Sequence, residues 1–214
     1  MAMRHAAAVT LRIDLLLLDV DGVLLDYQRT RRVRHLAEAL HVPDERVRHV
    51  LFESGLESAY DRGALATDAY LRQLGAGLQA GRRVDEALWI AARLAASRPR
   101  VDIVQRLLAL PPALPLGVLT NNGSLMARVL PVALPLLHPR LQGRVLCSGM
   151  LGGRKPEPAV FLRALRRLQV EPAHTLFIDD LFVNVCGARQ AGLHAETVRD
   201  ARSLGKVLKR YRLA

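Results

Sequence analysis

Short apolar runs ending at polar residues recur along this chain, and they predict its strands. The first run covers residues 15–19, where a series of leucines ends at Asp19 and an Asp-Gly pair follows. A continuous apolar run of this length is typical of a strand buried on both faces, as in parallel sheets. Further strands are predicted at 116–120, 144–147 and 175–179, with a weaker one at 194–198.

Amphipathic stretches fill the intervals between the later strands. Their periodicity predicts helices at about 100–110, 123–130, 157–168, 183–191 and 201–211. Strand and helix therefore alternate from residue 100 onward. Alternation of this kind predicts a doubly wound parallel α/β sheet with a Rossmann-like core.

The stretch between Gly22 and Arg100 departs from this alternation, because no strand is predicted in it. Helical patterns occur there at about 29–40, 43–54, 67–80 and 84–96. We therefore predict two domains, which are an α/β core of residues 1–23 and 99–214 and an inserted helical bundle of residues 24–98. Such an insertion would lie above the carboxyl ends of the strands, where open α/β sheets bind ligands.

The composition is that of a globular protein with a sizeable core. Half of the 214 residues are hydrophobic and 24% are charged, which excludes a disordered chain. No window reaches the roughly 18–20 apolar residues of a membrane helix. Arg12 and Asp14 interrupt the N-terminal apolar stretch, which argues against a signal peptide. Because Cys147 and Cys186 are too few for a disulfide framework, we expect a cytoplasmic protein without membrane contact.

The net charge of +11 raises the question of nucleic-acid binding. Residues 24–98 carry 12 basic and 10 acidic side chains, so the excess charge lies mainly in the predicted core. Aromatic residues make up only 4% of the chain, too few for base-stacking platforms. Nucleic acid is therefore not the expected partner. A non-catalytic module that binds an acidic partner on its basic core surface remains an alternative.

Polar residues stand at or just after the ends of four predicted strands. They are Asp19 and Asp21, Thr120 and Asn121, Lys155, and Asp179 with Asp180. The carboxyl ends of parallel strands share one edge of the sheet, so these side chains are expected to converge. Four crowded carboxylates raise one another's pKa values or require a cation. Lys155 supplies one positive charge, and Mg²⁺ suits the oxygen ligands far better than zinc does.

These segments resemble the four motifs of the haloacid dehalogenase-like superfamily of hydrolases. The motifs are Leu-Leu-Leu-Asp-Val-Asp-Gly-Val-Leu at 16–24, Val-Leu-Thr-Asn at 118–121, Arg-Lys-Pro-Glu-Pro at 154–158, and Phe-Ile-Asp-Asp at 177–180 followed by Asn-Val at 184–185. The resemblance covers residues 15–211, and the ordered set of four is much more specific than any one motif. The helical-cap subgroup with Phe-Ile-Asp-Asp in its fourth motif (subfamily IA-like) is the most similar. It includes sugar-phosphate phosphatases and the phosphatase domain of soluble epoxide hydrolases.

The resemblance implies a Mg²⁺-dependent phosphatase that hydrolyses a small phosphomonoester, such as a sugar phosphate, through an aspartyl-phosphate intermediate. Asp19 would be the nucleophile, and Asp21 would protonate the leaving oxygen and then activate water. Lys155 would balance the charge of the nucleophile and the phosphate. Thr120 and Asn121 would bind the phosphoryl oxygens.

The same resemblance implies the ligands of the metal. Asp19, the backbone carbonyl of Asp21 and the carboxylate of Asp180 would hold Mg²⁺ directly, and Asp179 would act through water, with an exchange of roles between Asp179 and Asp180 as the alternative. Asn184 would orient Asp180, with a plain helix-start polar residue as the alternative. The candidates for substrate contact in the helical bundle, each of which could equally be an ordinary residue of that bundle, are Asp26, Tyr27, Arg29, Tyr60 and Trp89.

Two other activities of the superfamily are alternatives to the phosphatase. A phosphomutase of the β-phosphoglucomutase type would keep both aspartates and a similar cap, and would differ by shielding the aspartyl-phosphate from water. A hydrolytic dehalogenase is disfavoured by Asp21, because a halide leaves without a proton. The non-catalytic binding module is disfavoured by the presence of every charged group that the chemistry requires.

Overall fold

The computed structural model describes residues 12–81 and 83–214. The N-terminal stretch that was compared with a signal peptide lies almost entirely outside them. The strands are β1 (Leu15–Leu18), β2 (Leu25–Tyr27), β3 (Ser97–Pro99), β4 (Leu116–Thr120), β5 (Val145–Cys147), β6 (Thr175–Asp179) and β7 (His194–Thr197). The helices are α1 (Arg29–Leu40), α2 (Asp44–Arg48), α3 (Leu56–Asp61), α4 (Thr67–Leu78), α5 (Glu86–Ala95), α6 (Val101–Leu108), α7 (Met126–Ala133), α8 (His138–Leu141), α9 (Pro158–Leu168), α10 (Phe182–Gln190) and α11 (Ala201–Arg210).

Five parallel strands form the main sheet, in the order β5-β4-β1-β6-β7. The central strand β1 pairs with β4 on one side and with β6 on the other, so that Leu17 lies opposite both Gly117 and Phe177. The predicted doubly wound parallel α/β sheet is confirmed. Each predicted strand differs from the observed one by no more than one residue at either end.

Successive side chains of β1 enter two different cores. Leu16 and Leu18 pack in a buried cluster that includes residues of α6, α7 and α11. Leu15 and Leu17 pack in a second buried cluster with residues of α9 and α10, among them Phe161. Because both faces of the strand are covered, its sequence is apolar throughout instead of alternating.

Helices α1–α5 lie between β2 and β3, and we call them the helical insertion (residues 29–95). The two strands are antiparallel and pair with each other, with Leu25 opposite Pro99 and Tyr27 opposite Ser97. The chain therefore enters and leaves the insertion side by side. The prediction that this region contains no strand is wrong, because two strands of three residues are too short to give a periodic pattern.

Local signals account for several helix ends. The side chain of Asp85 accepts a hydrogen bond from the N–H of Leu88 at 2.8 Å and so caps the start of α5. Pro158 occupies the first turn of α9, where its missing N–H costs nothing. The single-turn helices α3 and α8 were not predicted, because so few residues show no period. No helix in the described part of the chain is long and apolar enough to cross a membrane.

Candidate active site

The acidic residues and the lysine that follow the strands come together at one edge of the main sheet. Lys155 Nζ lies 2.8 Å from Asp19 Oδ1 and 2.7 Å from Asp179 Oδ2. Asp19, Asp179 and Asp180 each offer a carboxylate oxygen, and these oxygens lie within 4.8 Å of one another. The convergence follows from the pairing of β1 with β6, which continues beyond β1 as a hydrogen bond from the N–H of Asp19 to the carbonyl of Ile178 at 2.9 Å.

Burial governs the protonation of this cluster. Asp19 is 6% exposed, Lys155 2% and Asp179 0%. Burial raises the pKa of Asp19 to about 7, against the lowering effect of Lys155. Burial alone would lower the pKa of Lys155, but the carboxylates of Asp19 and Asp179 raise it above its usual value, so the ammonium stays charged. Because two carboxylates share one ammonium, ionisation of both leaves an excess of negative charge, which a divalent cation relieves.

Asp180 adds a further carboxylate to this cluster. Its pKa is raised first by burial and then by the neighbouring charge of Asp179. Gly22 packs directly against it, since a Cβ at Gly22 would overlap the Asp180 carboxyl group. Gly22 has φ +86°, a left-handed conformation that glycine adopts without strain. Glycine at this position thus allows the loop after β1 to approach Asp180.

Hydrogen-bond donors contact both carboxylate oxygens of Asp179. Its Oδ1 accepts from the N–H of Leu181 at 2.8 Å and from Asn184 Nδ2 at 3.1 Å. Its Oδ2 accepts from Lys155 Nζ and from Asn184 Nδ2 at 3.0 Å. The prediction that Asn184 orients Asp180 is wrong, because the hydrogen bonds of the Asn184 side chain go to Asp179. Asn184 lies on the first turn of α10, which begins just beyond the end of β6.

Thr120 is the last residue of β4, and Asn121 follows it. Both residues line a cavity beside the acidic cluster. The side chain of Asn121 pairs with the backbone of Lys155, because Nδ2 donates to the carbonyl at 2.9 Å and Oδ1 accepts from the N–H at 2.8 Å. Asn121 thus holds the lysine loop against the end of β4. Asn122, which sequence reasoning did not select, donates through Nδ2 to Thr120 Oγ1 at 2.8 Å and to Asp21 Oδ2 at 3.3 Å.

The carboxylate of Asp21 is also bound by an arginine of the helical insertion. Nη2 of Arg93, on α5, lies 2.6 Å from Oδ1 of Asp21 and 2.5 Å from Oδ2. Arg93 was not predicted as a site residue, since an arginine in an amphipathic helix 72 residues from its partner belongs to no local motif.

A cavity of about 550 Å³ separates these groups from the helical insertion. Asp26, Tyr27 and Arg29 line it, as expected of candidates for substrate contact. Tyr60 and Trp89 do not, because both are buried among the helices. Trp89 Nε1 donates to the hydroxyl of Tyr70 at 3.1 Å, and the Tyr60 hydroxyl accepts from the N–H of Leu125 at 3.1 Å.

The wall of the cavity opposite the strand ends is also polar. Arg32 Nη1 donates to Glu57 Oε1 at 2.6 Å, and the Tyr70 hydroxyl donates to the other carboxylate oxygen of Glu57. Arg154 Nη1 donates to Ser58 Oγ at 3.4 Å. The cavity lining therefore carries both donors and acceptors. Glu57 and Ser58 were not candidates, because the short helix α3 that carries them was not predicted.

Comparison with known proteins places the chain in a family. The model of the family described as haloacid dehalogenase-like hydrolase matches residues 13–192. The phosphatase MT3486 of Mycobacterium tuberculosis is 37% identical over 106 residues, which are 44% of this chain and 48% of that protein. Flavin mononucleotide hydrolase 1, a chloroplast protein of Arabidopsis thaliana, is 40% identical over 62 residues, which are 29% of this chain and 25% of that protein. Each match thus spans less than half of the relative's length.

Solved structures share the fold at lower sequence identity. The HAD family enzyme Bt-2542 of Bacteroides thetaiotaomicron, in complex with magnesium and inorganic phosphate, aligns with a TM-score of 0.71 and 20% identity over 86% of this chain and 93% of that chain. L-2-haloacid dehalogenase of Xanthobacter autotrophicus aligns with a TM-score of 0.60 and 22% identity over 94% and 84%. These likenesses concern the fold. The match of the family model over most of the sequence confirms the family that the four motifs predicted, and the chain belongs to the haloacid dehalogenase-like hydrolases.

Proposed function

We propose that this hydrolase is a Mg²⁺-dependent phosphatase that cleaves a small phosphomonoester through an aspartyl-phosphate intermediate. The observation that carries the proposal is the buried ammonium of Lys155, held between Asp19 at 2.8 Å and Asp179 at 2.7 Å, with Asp180 beside them. The phosphatase activity named for MT3486 and the magnesium and phosphate bound to Bt-2542 support it.

The chemistry needs two carboxylates with different tasks. An oxygen of Asp19 attacks phosphorus, the bond from phosphorus to the leaving oxygen breaks, and Asp21 gives its proton to that oxygen. Water then attacks the phosphorus of the aspartyl-phosphate and loses a proton to Asp21. This second step releases inorganic phosphate and restores Asp19. Lys155 offsets the negative charge of the nucleophile and the phosphoryl group in both steps.

The donor set fits magnesium, because it consists of hard oxygen ligands in a cluster with excess negative charge. Asp19, Asp180 and the backbone carbonyl of Asp21 would hold the ion directly. Asp179 would act through water, since both of its oxygens already accept hydrogen bonds from the protein. When bound, the ion would stabilise negative charge that develops on the phosphoryl oxygens.

The remaining site residues would bind the substrate. Thr120 and Asn121 line the cavity, and the hydroxyl of Thr120 and the backbone at Asn121 would bind phosphoryl oxygens, while the Asn121 side chain stays with Lys155. The cavity volume of about 550 Å³ lies in the range of small-molecule sites. The donors and acceptors that line it favour a polyhydroxylated substrate such as a sugar phosphate. In this proposal, residues 24–98 form a cap over a core of residues 1–23 and 99–214.

Hydrolysis of p-nitrophenyl phosphate tests the proposal. We expect turnover with MgCl₂, loss of turnover with EDTA, and no turnover above the blank for Asp19→Asn. Asp102→Asn, on the exposed start of α6, is the matched control and should behave as wild type. Turnover that survives in Asp19→Asn, or without metal, would contradict the proposal. Interconversion of phosphosugars without phosphate release would identify a mutase instead.

A further inference from the structure

Asp21 differs from the other carboxylates of the site in the origin of its charged partner. Asp19 and Asp179 share Lys155, which belongs to the α/β core. The one salt bridge of Asp21 among the described residues is with Arg93, from α5 of the helical insertion. The residue proposed to move protons is therefore held by a side chain from the other side of the cavity.

Arg93 is itself fixed on several sides. Its side chain is 1% exposed, and its guanidinium carbon lies 3.8 Å from the centre of the Tyr27 ring, on β2. Its Nε donates to Met126 Sδ, on α7, at 3.4 Å. A planar guanidinium restrained in this way has little freedom to follow a moving carboxylate. Arg93 is therefore restrained by contacts other than the one with Asp21.

A second donor completes the arrangement from the core side. Asn122 Nδ2 lies 3.3 Å from Asp21 Oδ2 and is itself held by Thr120 Oγ1 at 2.8 Å. The carboxyl group of Asp21 is therefore oriented by one residue of the core and one of the helical insertion. Arg32, a second buried arginine of the insertion, pairs with Glu57 and not with Asp21.

We propose that Arg93 is a positioning residue that orients the carboxyl group of Asp21 toward the leaving oxygen of the substrate. Because Arg93 belongs to the helical insertion, the orientation of Asp21 depends on the seating of the insertion against the core. The inference rests on the proposed phosphatase function. An error of about 1 Å in the place of a catalytic group costs on the order of 100-fold in rate, so such a role is large enough to measure.

The dependence of kcat/KM on the leaving group tests this role. p-Nitrophenolate leaves readily without a proton, whereas phenolate depends more on protonation by Asp21. We expect Arg93→Met to lower kcat/KM for phenyl phosphate roughly tenfold more than for p-nitrophenyl phosphate, a fraction of the 10²–10⁴-fold that general acid catalysis supplies. Arg93→Lys should restore part of the difference. The ratio of the two values does not depend on how much of the variant is folded.

A double-mutant cycle shows whether Arg93 acts through Asp21. In an Asp21→Asn background, Arg93→Met should change kcat/KM for phenyl phosphate by less than about threefold, because the group that it positions no longer carries the proton. The matched control is Arg128→Met, which removes an exposed ion pair between α7 and Glu86 of the same helix α5. It should leave the ratio unchanged.

The outcomes separate the two proposals. Equal losses for both substrates in Arg93→Met, or no loss, would overturn the positioning role while the phosphatase function stands. Additive effects of Arg93→Met and Asp21→Asn would overturn it as well. Retention of turnover in Asp19→Asn would instead overturn the function on which the inference rests.

Discussion

Lys155 Nζ lies 2.8 Å from Oδ1 of Asp19, and both side chains are almost completely buried. The ammonium is also 2.7 Å from Asp179, so a single cation lies between two carboxylates. Removal of one partner of a buried ion pair leaves an uncompensated charge, which typically costs about 3–5 kcal/mol. Lys155, the group that would offset the charge of the phosphate, is therefore also expected to contribute to the stability of the core.

Lys155→Met is expected to lower both stability and turnover. The free energy of unfolding should fall by about 3–5 kcal/mol, and turnover of p-nitrophenyl phosphate should be lost. Lys155→Arg keeps the charge, but the larger planar group does not fit the space of a compact ammonium, so it should also be inactive. Urea unfolding and phosphate release measure the two effects. The control is Lys206→Met at an exposed position of α11, and wild-type stability of Lys155→Met would show that the ion pair contributes nothing.

Asp180→Asn is expected to weaken magnesium binding. A ligand that binds the folded state alone raises Tm by mass action, so wild-type Tm should rise with MgCl₂ concentration. For the same rise in Tm, Asp180→Asn should require a MgCl₂ concentration higher by about 100-fold or more than wild type does. Asp179→Asn should require about 10–100-fold more, which is the usual effect of a group that acts outside the direct ligands. Thermal unfolding in a MgCl₂ series measures both. Equal responses of Asp180→Asn and wild type would rule out Asp180 as a ligand.

Gly187→Ala and Gly75→Ala should change stability in opposite directions. A Cβ at Gly187, on α10, would overlap the backbone carbonyl of Pro156, which cannot move aside as a flexible side chain can. We expect a loss of roughly 1–3 kcal/mol or more, as for overpacked cores. At Gly75, inside α4, a Cβ would make only an ordinary contact of 3.6 Å with Val84, so alanine should gain about 0.5–1 kcal/mol from helix propensity. Urea unfolding of both variants gives the comparison, and a stable Gly187→Ala would contradict the close approach.

The sequence was informative where function depends on strand ends. The proximity of Asp19 to Asp179 followed from two apolar runs, because adjacent parallel strands place their carboxyl ends at one edge whatever their separation in sequence. The same logic predicted that Lys155 and a cation would accompany these acids, whereas the proposed assignment of individual magnesium ligands came from the resemblance to the family. Local periodicity also predicted the long helices α1 and α9 to within one residue at each end.

The sequence was uninformative where one residue meets another across the cavity. Arg93 contacts Asp21 from α5, and the hydrophobic pattern of that helix shows only which face is buried. Glu57 lies on a helix of six residues, which is too short to show a period. The contact of Asn184 with Asp179 depended on the direction in which the first turn of α10 leaves β6, which spacing alone does not give. Side-chain partners of this kind are settled by packing between elements, not by any local pattern.

Asp61, at the end of α3, joins the helical insertion to the core. Its Oδ1 accepts a hydrogen bond from the backbone N–H of Gly123 at 2.8 Å. Burial, with a smaller contribution from Glu57, raises the pKa of Asp61 from 3.8 to about 7. The folded state therefore holds a proton that the unfolded state has lost between about pH 4 and pH 7. The contribution of Asp61 to stability therefore falls as the pH rises through this window, because ionisation is opposed in the folded state alone.

Asp61→Asn should remove this pH dependence, since the amide oxygen still accepts from Gly123 and carries no charge. Relative to wild type, the variant's free energy of unfolding should rise between about pH 4 and pH 7 and then level off, at up to roughly 1.4 kcal/mol per pH unit. Asp61→Ala should show the same slope with a constant offset of about 1 kcal/mol, which isolates the hydrogen bond from the titration. Urea unfolding at pH 5, 6, 7 and 8 measures these differences. A difference between Asp61→Asn and wild type that stays flat from pH 5 to pH 8 would show that Asp61 titrates alike in the folded and unfolded states.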